Sequence, residues 1–213
     1  MKAIVFDFDG TMIDTENLWH QITMDYIKEA YGIDLPNEVY ESIIGTSEEP
    51  LHDYMQTETN GKFDSAAFTR HVSNEIHSMR DELVLREGVM RIFDYATQRR
   101  FKIGLATSST REWVMPVLKR FGLLERFDTI QTADDVIEIK PDPALYLQAA
   151  NELGVKPTDA YAIEDSLNGA KAALKAGYHV IVVPNEATKN IHFPDEVTSF
   201  DQFDDIELEK TFQ

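Results

Sequence analysis

From Val89 onward the sequence alternates between two periods, and this alternation restricts the fold more than any other feature. Helical spacing at Val89 to Arg99, about Trp113 to Phe121, about Pro143 to Leu153 and Asn168 to Ala176 is interleaved with short β-rich runs. Those runs are Lys102 to Ala106, Phe127 to Gln131, Tyr161 to Ile163 and His179 to Val183, and an earlier apolar run is Ala3 to Phe6. The unbroken apolar run at Ala3 to Phe6 marks a buried strand. Strands separated by helices pair in parallel through right-handed crossovers. The pattern predicts an α/β fold: a Rossmann-like, doubly wound parallel sheet covered by helices on both faces.

Between the first run and the alternation no strand pattern is present from about Asn17 to Asp81. Trp19, Ile22, Tyr26 and Ala30 instead recur at helical spacing within Leu18 to Tyr31, and Gly32 supplies a stop. Ser47 is the expected N-cap of a second helix with Glu48 and Glu49 in its first turn. Asp64 is the expected cap of a third, which aligns Phe68, Val72, Ile76 and Met79 on one face. The predicted organisation is a core of residues 1–16 plus 82–213, interrupted by a helical insertion over 17–81. Pro116 is expected near the start of its helix or at a kink. The acid-rich stretch Asp201 to Glu209 reads as solvated surface.

Composition excludes several functions. The 213 residues carry 38 acids against 20 bases, a formal charge of -18, so the average field repels a polyphosphate backbone and nucleic acid is not the expected partner. Cysteine is absent, which removes thiolate metal sites, thiol catalysis and disulfides. No apolar run approaches about 20 residues, so no membrane span is predicted. The N-terminal MKAIVFDFDG lacks the features of a secretory signal, and a cytoplasmic protein is expected.

In open parallel sheets, ligands bind outside the carboxyl ends of the strands. The first predicted strand ends in Asp7-Phe8-Asp9-Gly10-Thr11 and the second in Thr107-Ser108-Ser109. Lys140-Pro141 follows the third, and Glu164-Asp165 ends the fourth. Acids, hydroxyls and one lysine therefore converge on one rim. Carboxylates so grouped repel one another, and a hard divalent cation such as Mg2+ offsets that repulsion. With the cation in place, Asp7 can attack a phosphate ester as a nucleophile, and Asp9 can serve as general acid and then as base. Lys140 supplies positive charge, Thr107 a hydroxyl, and backbone N–H groups around Gly10 and Ser108 are candidates to cradle phosphate oxygens.

DFDGT, Thr107, Lys140 and Glu164-Asp165 resemble, in order, the four motifs of the haloacid dehalogenase superfamily, and the resemblance spans nearly the whole chain. The arrangement looks like the β-phosphoglucomutase-like subgroup. The resemblance implies a Rossmann-like core with a helical cap inserted after the first motif. It also implies Asp7 as nucleophile and metal ligand, and Asp9 as acid/base with its backbone carbonyl on Mg2+. Asp165 is then a direct metal ligand and Glu164 acts through metal-bound water. Thr107, Ser108 and Lys140 hold the transferring phosphoryl group.

Two positions depart from the mutase pattern. Trp19 stands where the mutase has a cap histidine, and Glu48 where it has a cap arginine for a second phosphate. Both favour hydrolysis of a small phosphate ester, sugar-like in size, over a mutase. Asp9 weighs against dehalogenation, because halide leaves without a proton. A receiver-like phospho-acceptor shares part of the chemistry but has its acceptor after the third strand and no insertion.

Overall fold

The computed structural model describes residues 2–213, with the backbone alone for Glu16 and Asn17. The apolar run near the start forms β1 (Ala3–Phe6), all four residues buried. The insertion follows as α1 (Glu16–Tyr31), α2 (Asn37–Glu41), α3 (Glu49–Glu58) and α4 (Ser65–Ser78). The alternating half then runs α5 (Val89–Arg99), β2 (Lys102–Ala106), α6 (Arg111–Arg120), β3 (Thr129–Gln131), α7 (Ala144–Leu153), β4 (Ala160–Glu164), α8 (Leu167–Ala176) and β5 (His179–Val182). It closes with β6 (Thr198–Ser199) and α9 (Leu208–Thr211).

The six strands lie in the order β3-β2-β1-β4-β5-β6, and every pairing is parallel. β1 sits centrally, paired with β2 and β4, so the motifs that end these three strands are neighbours in space. Alternation along each strand sends side chains to opposite faces. Ile4, Phe6, Tyr161, Ile163 and Ile181 join one apolar cluster, which also takes in α5, α6 and the inserted helices. Ala3, Val5, Ala160, Ala162, Val180 and Val182 join the other, beneath α7 and α8. That second face is built largely from small residues, among them Ala149, Ala150, Ala170 and Ala173. Small side chains let those helices lie close to the sheet.

Helix existence follows the sequence periodicity; several boundaries do not. Gly32 ends α1 in the left-handed conformation at φ 70°, and Asp64 caps α4 by accepting from the Ala67 N–H at 2.9 Å. Ser47, however, is not a cap. α3 begins at Glu49 with Glu48 in the cap position, because the preceding Gly45-Thr46 loop is engaged with the core. Pro116 lies inside α6, not at its start, where it removes the N–H that would meet the carbonyl four residues earlier. The segment after β5 corrects a second expectation. Its acids are exposed, but Phe203, Ile206 and Phe212 are buried in the main core, and β6 extends the sheet edge. No strand lies between β1 and α5 among the described residues, as expected.

Candidate active site

β1 delivers Asp7 at its carboxyl end, where the Asp7 N–H still bonds the Ile163 carbonyl of β4 at 2.9 Å. Opposite it, Lys140 is 1% exposed and bridges two acids. Its Nζ donates to Asp7 Oδ1 at 2.5 Å and to Glu164 Oε1 at 2.7 Å. Glu164 Oε1 also accepts from the Tyr146 hydroxyl at 2.6 Å, and Oε2 accepts from Ser166 Oγ at 3.1 Å. This depends on Gly169 in the first turn of α8, because a Cβ there would lie 2.0 Å from the Glu164 carboxylate. Asp165 is fully buried, its two oxygens accepting from Thr11 Oγ1 at 2.7 Å and Asn185 Nδ2 at 2.8 Å.

The charge states follow from this packing. Burial pushes the Asp7 carboxyl up to about 7; Lys140 opposes that rise and the Glu164 carboxylate adds to it. Burial alone would lower the Lys140 ammonium, but Asp7 and Glu164 outweigh it and hold the group above its ordinary value. Burial, followed by Glu164, raises the Tyr146 hydroxyl well above the usual range, so it stays a donor. Burial also raises Asp9, against hydrogen bonds from Ser109, Trp113 and Thr15.

Asp7 and Asp9 both line a cavity of about 170 Å3, together with Thr107, Ser108 and Ser109 from the loop after β2. The cavity roof comes from the insertion: Trp19, Thr23, Tyr40, Ile43, Ile44, Gly45, Thr46 and Glu48. The 44–46 loop is tied to the core at three points. Ser108 Oγ donates to the Gly45 carbonyl at 3.0 Å, Asn168 Nδ2 to the Ile44 carbonyl at 3.0 Å, and Thr46 Oγ1 to the Lys140 carbonyl at 2.5 Å. Gly45 allows this approach, at φ 74° and with the Ser166 hydroxyl 2.4 Å from where a Cβ would stand.

Of the residues singled out in the sequence, Asp7, Asp9, Thr107, Ser108, Lys140, Glu164 and Asp165 converge here. Gly10 does not join them as a phosphate donor. Its N–H is donated to the Ile13 carbonyl at 2.8 Å and to Thr15 Oγ1 at 3.1 Å, and its φ of 76° serves the turn that ends β1. Four contributors escaped the sequence reading. Arg86 donates to the carbonyls of Gly10, Val183 and Pro184 at 2.6, 2.9 and 2.8 Å, stapling the β1 loop to the end of β5. Burial lowers its guanidinium, against the pull of Asp165 and Asp14. Tyr146 fixes Glu164, Asn185 fixes Asp165, and Trp113 Nε1 donates to Asp9 Oδ1 at 2.9 Å. Only Asn185 carried a signal, since it follows a strand end. Trp19 and Glu48, noted as departures from the mutase pattern, both face the cavity.

The carboxylates of Asp7, Glu164 and Asp165 offer oxygens all within 4.8 Å of one another. This buried, all-oxygen donor set has one lysine against three acids, and it suits a hard divalent cation better than a transition metal.

The profile of the family described as haloacid dehalogenase-like hydrolase matches residues 4–183. The Bacillus subtilis protein YhcW is 37% identical over 98% of this chain and 94% of its own length. Hexitol phosphatase B of Escherichia coli is 31% identical over 88% of this chain and 86% of its length. Among solved structures, CbbY from Rhodobacter sphaeroides in complex with xylulose-1,5-bisphosphate superimposes with a TM-score of 0.81 at 29% identity, covering 97% of this chain and 96% of that one.

Proposed function

This chain belongs to the haloacid dehalogenase-like hydrolase family, and we propose that within it the protein is a Mg2+-dependent phosphatase acting on a sugar or polyol monophosphate through an aspartyl-phosphate. It is a phosphoric monoester hydrolase with relatives in the β-phosphoglucomutase-like group. The observation that carries the finer reading is the buried bridge of Lys140 between Glu164 and Asp7, the latter lining the cavity. A lysine so placed fixes the nucleophile and leaves the Asp7 carboxylate beside hydroxyls suited to phosphate oxygens.

In this reading residues 17–81 form a cap over a core of 1–16 plus 82–213. Asp7 attacks phosphorus, and Asp9 protonates the leaving oxygen and later takes a proton from water. Thr107, Ser108 and Lys140 hold the phosphoryl oxygens. Asp7, Asp165 and the Asp9 backbone carbonyl would hold Mg2+, with Glu164 acting through a water. When bound, the cation neutralises the clustered acids so that a phosphate dianion can approach Asp7.

The roof supports the substrate class. An indole, a phenol, Thr23 and the Glu48 carboxylate suit the C–H faces and hydroxyls of a polyol. Lys140 lies behind Asp7, and no lysine or arginine lines the roof of the cavity among the described residues, which opposes a second phosphate and the mutase alternative. Hexitol phosphatase and a Thermotoga maritima phosphorylated carbohydrates phosphatase are relatives in keeping with this. The lack of cysteine and of any helix able to cross a membrane among the described residues favours a cytoplasmic enzyme. The test is phosphate release over sugar, polyol and nucleoside monophosphates, with and without Mg2+. Release that persists in Asp7→Asn would refute the mechanism.

A further inference from the structure

We infer that Trp113 is the positioning residue of Asp9, an assignment that rests on the phosphatase reading above. The indole Nε1–H donates to Asp9 Oδ1 at 2.9 Å, and the Ser109 hydroxyl donates to Asp9 Oδ2 at 2.5 Å. Thr15 also hydrogen-bonds the Asp9 carboxylate, but the indole and the Ser109 hydroxyl differ in kind. An indole nitrogen only donates, so Oδ1 is held as an acceptor. A hydroxyl donates or accepts, so Oδ2 is the oxygen able to carry a proton and give it up. Asp9 and Ser109 line the cavity, while Trp113 is buried at 4% exposure. Oδ1 is therefore tied by a group that can only donate, and Oδ2, bonded to a cavity-lining hydroxyl that can also accept, is assigned to the substrate.

The chemistry balances on Oδ2. As an Asp7 oxygen bonds phosphorus, the ester P–O bond breaks, its electron pair goes to the leaving oxygen, and that oxygen takes the Oδ2 proton. Water then attacks phosphorus and returns a proton to Oδ2, and the Asp7–phosphorus bond breaks with its electrons returning to the carboxylate. Trp113 touches neither substrate nor water in these steps; it acts by holding Asp9.

The same indole is packed against the insertion. Trp19 meets it edge-on with ring centres 6.4 Å apart, His77 lies at 5.4 Å, and the Arg80 guanidinium lies 5.4 Å from its ring centre. These residues come from α1, from α4 and from the turn after α4. One side chain thus joins the acid/base to helices on the substrate side, and a displacement of those helices is transmitted to Oδ1.

Trp113→Phe keeps the ring and removes the donor. Its rates are compared on a hexitol phosphate, whose alkoxide needs a proton to leave, and on p-nitrophenyl phosphate, whose leaving group does not. The expected loss on the hexitol phosphate is about 10- to 100-fold in kcat with KM little changed. kcat/KM on p-nitrophenyl phosphate, which reports the first half-reaction, should stay within about threefold. Equal losses on both substrates would make the residue structural and overturn the inference, while leaving a Mg2+- and Asp7-dependent phosphatase intact. Absence of release by the wild type would instead refute the function and the inference with it. A second measurement needs neither turnover nor a folded Trp113 variant. The chain has two tryptophans, so Trp19→Phe assigns the Trp113 indole N–H resonance, which should lie downfield and move upfield in Asp9→Ala. An unmoved resonance would also overturn the assignment.

Discussion

Floor and roof of the cavity are made of different materials. At the floor Asp7 lines the cavity, and behind it Lys140, Glu164 and Asp165 are buried, charged, and bonded to partners from the strand ends and α7. At the roof, Trp19, Thr23, Tyr40 and Ile43 present rings, a hydroxyl and an aliphatic chain, and Glu48 is the single acid. Buried charges are costly to rearrange, so the floor is committed to one geometry. The half-buried Trp19 and its uncharged neighbours in the insertion carry no such ionic bonds, and exchange there costs less. In the proposed mechanism this division would let one chemistry serve different leaving groups, with the floor defining the reaction and the roof selecting the alcohol.

The sharpest break of that comparison is at Asp7. Asp7→Asn should lower turnover by at least about 1,000-fold, since in the proposed mechanism it removes the nucleophile and not a binding contact. Its KM for any residual substrate, and its circular dichroism, should match the wild type. A floor that tolerated this change would be no different from the roof.

Lys140→Met tests whether the floor is also a structural keystone. Removing the cation leaves Asp7 and Glu164 buried and facing each other. The expected loss is about 3 to 5 kcal/mol of stability, read by chemical denaturation in the absence of metal. Mg2+ should recover part of it in the variant by supplying the missing positive charge. An unchanged midpoint would mean that the bridge contributes nothing to the fold.

The metal-free floor should also destabilise itself as pH rises. Asp7 is raised from 3.8 to about 7 in the folded chain, so between those values the folded state binds more protons than the unfolded one. Stability therefore falls as pH rises from about 4 to 7 and is level above. Asp7→Asn abolishes this fall. Melting temperatures of the two metal-free proteins should nearly coincide at about pH 4 or below, with the variant higher at pH 8 by an amount worth on the order of 4 kcal/mol. Saturating Mg2+ should reverse the order. A pH-independent difference would contradict the charge balance described for the floor.

The floor was legible in the sequence because its acids stand at strand ends, which parallel topology brings together, and because Lys140 keeps its place in the motif order in the long loop after β3. Strand-end position and the order of the four motifs together singled out Asp7, Thr107, Lys140, Glu164 and Asp165. What it could not reveal were side chains whose partners lie far along the chain. Trp113 meets Asp9 across 104 residues and Arg86 meets Pro184 across 98. Nothing in the neighbours of either residue announces that pairing. Gly10 failed as a phosphate donor for a related reason. The turn that makes glycine necessary there also consumes its N–H. The burial of Phe203, Ile206 and Phe212 was masked by the acids between them, which average to a solvated composition although the three apolar residues pack in the core.

Glu48 offers the smallest effect and the finest discrimination between the two regions. Its Oε2 accepts from Thr69 Oγ1 at 2.8 Å and lies 3.3 Å from His52 Nε2, so the carboxylate is held by α3 and α4 and not by the floor. Glu48→Gln keeps the volume and one acceptor oxygen while removing a negative charge from the roof. Turnover of a neutral polyol monophosphate should change by no more than about threefold. KM for a bisphosphate should fall by about tenfold, equivalent to about 1.4 kcal/mol, because a second dianion no longer meets a like charge. The contrast with Asp7 is what matters: the same removal of one carboxylate charge abolishes chemistry at the floor and merely alters selection at the roof. If Glu48→Gln lowered kcat on both substrates equally, with KM unchanged, Glu48 would belong to the reaction machinery and the division between floor and roof would fail.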